Sequence, residues 1–160
     1  MPNPHRPYIQ QFYPDEHSWC YGCGRLNPKG LHLESAWEGD EVVARFTPRP
    51  EDVSIPGYVY GGLIAALIDC HAMATAAAHA DRLAGRRLGD GEVPRYVTAA
   101  LRVDYLHPTR LGSELVLRAR VREAGRRKLV VEVALESAGR ETARGDVVAV
   151  PMPAAMAATT

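Results

Sequence analysis

The 160 residues suffice for one domain with a sizeable core, and 46% of them are hydrophobic. Lys and Arg total 19, and so do Asp and Glu. That balance excludes a global field for nucleic acid or an anionic membrane and leaves only local patches to attract an anionic ligand. The opening MPNPHRPYIQQ lacks the apolar run of a secretory leader, and three cysteines complete no disulfide framework. A reducing cytoplasm is therefore the expected compartment.

Residues 1–30 read as an extended N-terminal arm. Four prolines, two tyrosines and Trp19 occur before residue 20 with no sustained period, and the aromatics are the natural pins for such a segment. The arm ends in CYGCGRLNPKGLHL, where Cys20 and Cys23 have the spacing of half a zinc site. Zinc takes four ligands. Cys70 and the scattered histidines offer no second ligand pair at useful spacing, so the expectation is a metal-free structural turn with no metal site.

From Leu31 the pattern turns to strands. Leu31, Leu33 and Ser35 alternate with polar neighbours, Glu38-Gly39-Asp40 marks a turn, and Val42, Ala44 and Phe46 alternate again. Prolines at 48, 50 and 56 make the next connection a loop that delivers the chain to Gly61-Gly62.

The stretch from Pro56 to Leu83 organises the rest: a Gly-Gly helix start and then about six turns of nearly unbroken apolar residues, stopping near Leu83 to Gly85. A helix apolar on all faces is buried. It reads as too short and too alanine-rich for a membrane span, with Asp69, His71 and His79 interrupting the window of about 20 residues that a bilayer needs. Asp69 is a carboxylate at the centre of this buried helix, so it is neutralised, paired or placed for chemistry. Gly62, Ala65, Ala66, Ala72 and Met73 share its face, and most are small enough for a second backbone or a substrate to come close. His71, about 200° further round, points into the core instead. Cys70 reads as a buried neutral thiol.

Residues 84–94 hold three glycines and a proline and form a mobile excursion. Four strands follow, Tyr96 to Leu106, Glu114 to Glu123, Leu129 to Ser137 and Thr142 to Val150, each with period-two alternation and joined by hairpin-length linkers. The tail from 154 to 160 is frayed by this reading. One long helix and five to six antiparallel strands give an α+β fold whose sheet must wrap around that helix, since no other helix covers its apolar face.

This is a hotdog arrangement, and the motifs agree with it. GYVYGGLIAALIDCHA followed by VTAALRVDYLHPTRLG resembles the hotdog-fold acyl-CoA thioesterases of the PaaI-like type, and Cys20 to Leu31 resembles the N-terminal segment that many members carry. On this reading residues 31–153 form a hotdog thioesterase domain.

Thioester hydrolysis needs a nucleophile or base near the carbonyl carbon and a donor aimed at the carbonyl oxygen. The bare amides of Gly61 and Gly62, at a helix start, make a dipole-assisted donor site. Asp69 supplies the carboxylate. Seven residues separate Gly62 from Asp69, about 10.5 Å at 1.5 Å per residue, so both flank one carbon only if a second copy of the helix packs antiparallel. A homodimer, or a dimer of dimers, is expected. The resemblance implies that Asp69 is general base or nucleophile, Gly62 the principal carbonyl-polarising amide, and Thr98 a hydroxyl that orients the carboxylate or the attacking water.

Tyr60 stands where many family members have histidine; it retains a hydrogen-bond donor but no imidazole. Ser54 lies on the loop where some relatives carry a water-orienting residue. Coenzyme A enters only as part of the substrate, with no other cofactor. Its phosphates could be met by Arg126, Arg127 and Lys128, or by Arg86 and Arg87. The rival readings are a hotdog dehydratase or hydratase, which normally needs a histidine paired with a carboxylate, and a non-catalytic acyl-CoA binding dimer.

Overall fold

Helix α1 spans Gly61–Leu83, and the computed structural model, which describes residues 6–157, places it against the concave face of the sheet. By length and hydropathy α1 does reach the size of a bilayer-crossing helix, contrary to the sequence reading, but 72% of its most apolar window is buried inside the fold. Eight consecutive residues, His71 to Ala78, are buried. An all-round apolar helix needs cover on every side, and sheet and N-terminal segment supply it from Cys70 to Ala78.

The strands are β1 (Ser35–Glu38), β2 (Glu41–Phe46), β3 (Tyr96–Tyr105), β4 (Leu115–Ala124), β5 (Leu129–Ser137) and β6 (Arg140–Pro151). They form one sheet in the order β1-β2-β4-β5-β6-β3, antiparallel throughout. β4, β5 and β6 follow as hairpins, whereas β3 lies at the far edge beside β6. The alternation seen in the sequence becomes a buried face: Leu115, Leu117 and Ala119 on β4, Val131, Val133 and Leu135 on β5, and Ala143, Val147 and Ala149 on β6 pack with Leu63, Ile64, Leu67 and Ile68 of α1. Each fully buried leucine or valine contributes about 1.5–3 kcal/mol. Helix and sheet pack closely at Gly145, where a Cβ would run into the Ile68 side chain. This is the hotdog fold.

Two expectations about the first 34 residues need correction. The arm is not extended: Ile9–Phe12 and Asp15–His17 form 3-10 turns. Ile9 and Tyr13 are buried in a second core cluster with Val42, Ala74, Ala77, Ala78 and Val93, so the aromatics pin the segment as a layer over the second half of α1. Leu31 and Leu33 do not belong to a strand. Both are buried, but their amides donate to the carbonyls of Tyr21 and Gly22, and His32 between them has φ +55°, outside the extended region. The sheet begins only at Ser35.

Buried polar groups in this layer satisfy one another. Gln10 Nε2 donates to Ser35 Oγ (3.0 Å), Ser35 Oγ donates to His71 Nδ1 (2.8 Å), and His71 Nε2 donates to the Val42 carbonyl (3.0 Å). That pattern fits one neutral tautomer. Burial holds the His71 pKa down, to about 4, against the pull of the Val42 carbonyl. His71 is a core residue, as its place on the helix indicates. At the other end of the chain, Ala154–Ala157 form an exposed helical turn; residues 158–160 of the tail, like residues 1–5 of the arm, lie outside the described residues.

Candidate active site

The first half of α1 differs from the rest in one stripe. Gly61, Ala65, Ala66 and Asp69 are only half-buried and Gly62 is exposed, while Leu63, Ile64, Leu67 and Ile68 are buried. Steps of three and four residues put the five on one face. Only Asp69 in this stripe carries a charge.

Thr98 Oγ1 donates to Asp69 Oδ1. Thr98 pairs with Ala149 of β6 and Ala100 with Val148, so Ala99 is an extra residue and β3 bulges directly after Thr98. Bulges re-aim side chains near functional sites, and here the bulge adjoins the hydroxyl that meets Asp69. Burial raises the Asp69 pKa from its ordinary value; the Thr98 hydrogen bond opposes it, Cys20 adds to it, and Arg95 opposes it. A carboxylate partly stripped of water and held by one hydroxyl suits proton abstraction from a water molecule.

At the helix start, Leu63 and Ile64 both direct their amides to the Tyr60 carbonyl, and among the described residues no backbone partner takes the amides of Gly61 or Gly62. Tyr60 N–H donates to the Asp52 carbonyl (2.8 Å), and Asp52 is itself gripped by Arg49 (2.9 and 3.2 Å), so the approach to Gly61 is braced. The Tyr60 ring lies over Gly62, where any Cβ would strike it. Tyr105 Oη donates to the Gly61 carbonyl (2.6 Å). Sequence reasoning missed Tyr105; its place in the DYLHP stretch at the end of β3 was the available signal.

Ser54, Gly61, Ile64, Tyr105, His107 and Thr109 are among the residues lining an open groove of about 470 Å³. Ser54 and the helix start therefore share one hollow. A second hollow of about 340 Å³, lined by Tyr58, His107, Arg110 and Arg140 among others, shares Tyr58, His107 and Pro108 with the first. Neither Arg110 nor Arg140 was singled out from sequence, and neither has a carboxylate partner among the described residues. By contrast, Arg126, Arg127 and Lys128 are exposed on the β4–β5 turn, at the opposite end of β4 from this groove, about 30 Å away at 3.4 Å per residue. Arg86 pairs with Asp81 beyond the other end of α1.

The structure brings Thr98 to Asp69, and Ser54 and Tyr60 to the Gly61-Gly62 amides. It does not bring the two groups together within one chain. On the far side of Asp69 it does what spacing could not reveal: Cys70, 50 residues beyond Cys20, places its sulfur 3.6 Å from Cys20 Sγ. Hydrogen bonds from Cys23 and Cys70 hold the Cys20 thiol below its usual pKa, and the same contacts push the two partners up.

Comparison with known proteins bears on the fold that carries these residues. The family model of the thioesterase superfamily matches residues 56–144. A thioesterase superfamily protein of Shewanella loihica PV-4, solved by crystallography, is 46% identical over 87% of this chain and 98% of its own, with a TM-score of 0.66. Two more distant structures share the fold. The PaaI protein from the phenylacetic acid degradation operon of E. coli is 16% identical over 78% of this chain and 83% of its own, with a TM-score of 0.62. Smu.793 of Streptococcus mutans UA159, solved bound to acetyl CoA, is 19% identical over 75% of this chain and 88% of its own, with a TM-score of 0.58. Among curated proteins, none matches the chain.

Proposed function

The chain belongs to the thioesterase superfamily, and from that premise we propose that it is a cytoplasmic acyl-CoA thioesterase whose active site is shared between two copies of the chain. The observation that carries this reading is the stripe on α1. A helix walled in on every other side leaves Gly61, Gly62, Ala65, Ala66 and Asp69 uncovered, and the edge strand β3 exposes Thr98 to Arg102 beside it. A second copy packed antiparallel along this stripe covers both, and it sets Asp69 of one copy opposite the free Gly62 amide of the other.

In that arrangement the thioester carbonyl oxygen accepts a hydrogen bond from the Gly62 amide, where the helix dipole favours the developing negative charge. Asp69, held by Thr98, takes the proton of a water molecule as the water oxygen attacks the carbonyl carbon. The C–S bond breaks, coenzyme A leaves as its thiolate and is protonated, and the free acid remains. Direct attack by Asp69, through an anhydride that water then opens, uses the same geometry. No cofactor enters the chemical step. Smu.793 binds acetyl CoA on the same fold, which supports a coenzyme A ester as substrate. Arg110 and Arg140 beside the groove are better placed for its phosphates than the β4–β5 turn of the same chain.

The dehydratase reading wants a histidine beside the carboxylate. His71 is walled into the core, bonded to Ser35 and Val42, and position 60 holds tyrosine. A panel of aryl, short, medium and long acyl-CoA esters, followed by release of free thiol, tests the proposal. Thiol release with at least one class is expected. Hydration of enoyl-CoA without thiol release would establish the dehydratase reading, and binding of coenzyme A esters without turnover the non-catalytic one.

A further inference from the structure

The sulfur atoms of Cys20, Cys23 and Cys70 all lie within 4.8 Å of one another, and all three cysteines are free. Around a tetrahedral ion with metal–sulfur bonds of about 2.3 Å, neighbouring sulfurs stand about 3.8 Å apart; the Cys20–Cys70 separation is 3.6 Å. A disulfide would require about 2.05 Å and would leave the third thiol over. The CYGCG loop is shaped closely around this cluster. A Cβ on Gly22 would strike Cys70 Sγ, and one on Gly24 would strike the Cys20 backbone.

Two buried polar groups beside the cluster have no partner. Tyr13 Oη and Arg95 Nη1 make no hydrogen bond, Tyr13 is only 3% exposed, and the Arg95 guanidinium lies 4.8 Å from the centre of the Tyr13 ring. Both lie close enough to the thiols to be influenced by them. Arg95 forms no ion pair among the described residues. A largely buried cation with no carboxylate partner is uncompensated and costly. Three thiolates around a divalent ion carry one net negative charge, which one guanidinium balances.

We infer that Cys20, Cys23 and Cys70 form a three-sulfur site for a thiophilic divalent ion of the zinc class, with Arg95 compensating its charge and a fourth position open on the half-buried Cys20 side. Binding displaces the thiol protons to solvent. The ion clips the N-terminal loop to α1 at the residue after Asp69, fixing the turn that carries the carboxylate. On this inference the third ligand, Cys70, is one that the fold supplies and that the spacing of the Cys-x-x-Cys pair does not show.

Titration of the fully reduced, full-length protein with cobalt(II) under anaerobic conditions tests this without reference to activity. The expected result is a thiolate-to-cobalt charge-transfer absorption that saturates at one ion per chain, is bleached by zinc(II), and is accompanied by a rise in Tm. Cys20→Ser, at the half-buried position where folding is least at risk, and Cys70→Ser should each remove most of the band. Arg95→Met should weaken cobalt affinity by roughly tenfold or more, the range for residues that support a metal ligand. Absence of the band in the wild-type protein overturns the inference. So does a band that survives both cysteine substitutions, which would place the cobalt elsewhere; unchanged affinity in Arg95→Met overturns the role given to that residue.

Discussion

The two halves of α1 are written in the same residues and sit in different surroundings. From Cys70 to Ala78 every position is buried, shared between the sheet and the turns of the N-terminal segment, and the one polar ring, His71, has both nitrogens bonded. From Gly61 to Asp69 the face toward the sheet holds Leu63, Ile64, Leu67 and Ile68, all buried, but the stripe of glycines and alanines that ends at Asp69 is only partly covered by the chain. Alanine and glycine serve opposite ends in the two halves. In the second they let the N-terminal layer sit close on the helix; in the first they keep a partly exposed surface flat, which is the surface that the proposed second copy would cover. A charged group is tolerated in the first half because that surface is not yet dry.

The largest effect should come from the single charge on the stripe. Asp69→Asn keeps the shape and the Thr98 contact while removing the base or nucleophile, and thioester turnover should fall by about 10²-fold or more with Tm and dimer mass unchanged. Full turnover in the variant would remove Asp69 from the chemistry.

The buried half responds to pH in its own way. His71 has a folded pKa of about 4, against about 6.5 for an unfolded histidine. Above pH 6.5 neither state binds the proton and stability is unaffected. As pH falls from about 6.5 toward 4, the unfolded chain takes up a proton that the folded chain refuses, and stability should decline by roughly 3 kcal/mol. Urea midpoints across this window, with the His71 ring resonances followed by NMR, check the assignment: the midpoint should drop while the resonances stay at their neutral positions down to about pH 5. Protonation of His71 in the folded state near pH 6.5 would contradict it.

A matched pair of substitutions sharpens the contrast. Ala77→Leu pushes a side chain into a fully buried position and should cost about 1–3 kcal/mol of stability through overpacking. Ala65→Leu on the stripe should change the stability of the individual fold by no more than about 0.5 kcal/mol, and should weaken self-association and activity together. Denaturant unfolding and sedimentation equilibrium distinguish the two outcomes; a stable, fully dimeric Ala65→Leu protein would mean that the stripe is not the interface.

The contrast also shows how far the sequence could be read. The strands β4 to β6 and the bounds of α1 were legible because one face of each of these strands is buried and apolar and the other wetter, and because an apolar run broken once, at Asp69, stands out. Thr98 was legible only through the family motif; the bulge that follows it is a matter of register, which no single strand encodes. Leu31 and Leu33 misled, since their alternation is the burial of a loop whose amides bond back to Tyr21 and Gly22. Ile9 was unreadable as core because a 3-10 turn has too few residues to show a period. Cys70 and Tyr105 act through contacts 50 and 44 residues away in sequence, and spacing arguments do not cross such distances.

The central claim is that the exposed stripe is half of an active site completed by a second copy, and subunit mixing tests it most directly. Asp69→Asn removes the carboxylate, and Gly62→Val crowds the carbonyl-binding amide, where the exposed Tyr60 ring must turn aside for the new side chain. Each variant alone should be inactive and dimeric. After mixing and exchange at equal amounts, a heterodimer has one site with both lesions and one with neither. The account predicts that activity returns, to about a quarter of the wild-type level when half the dimers are mixed and each holds one intact site. Mixtures of folded, exchanging dimers that stay as inactive as their parents would contradict it.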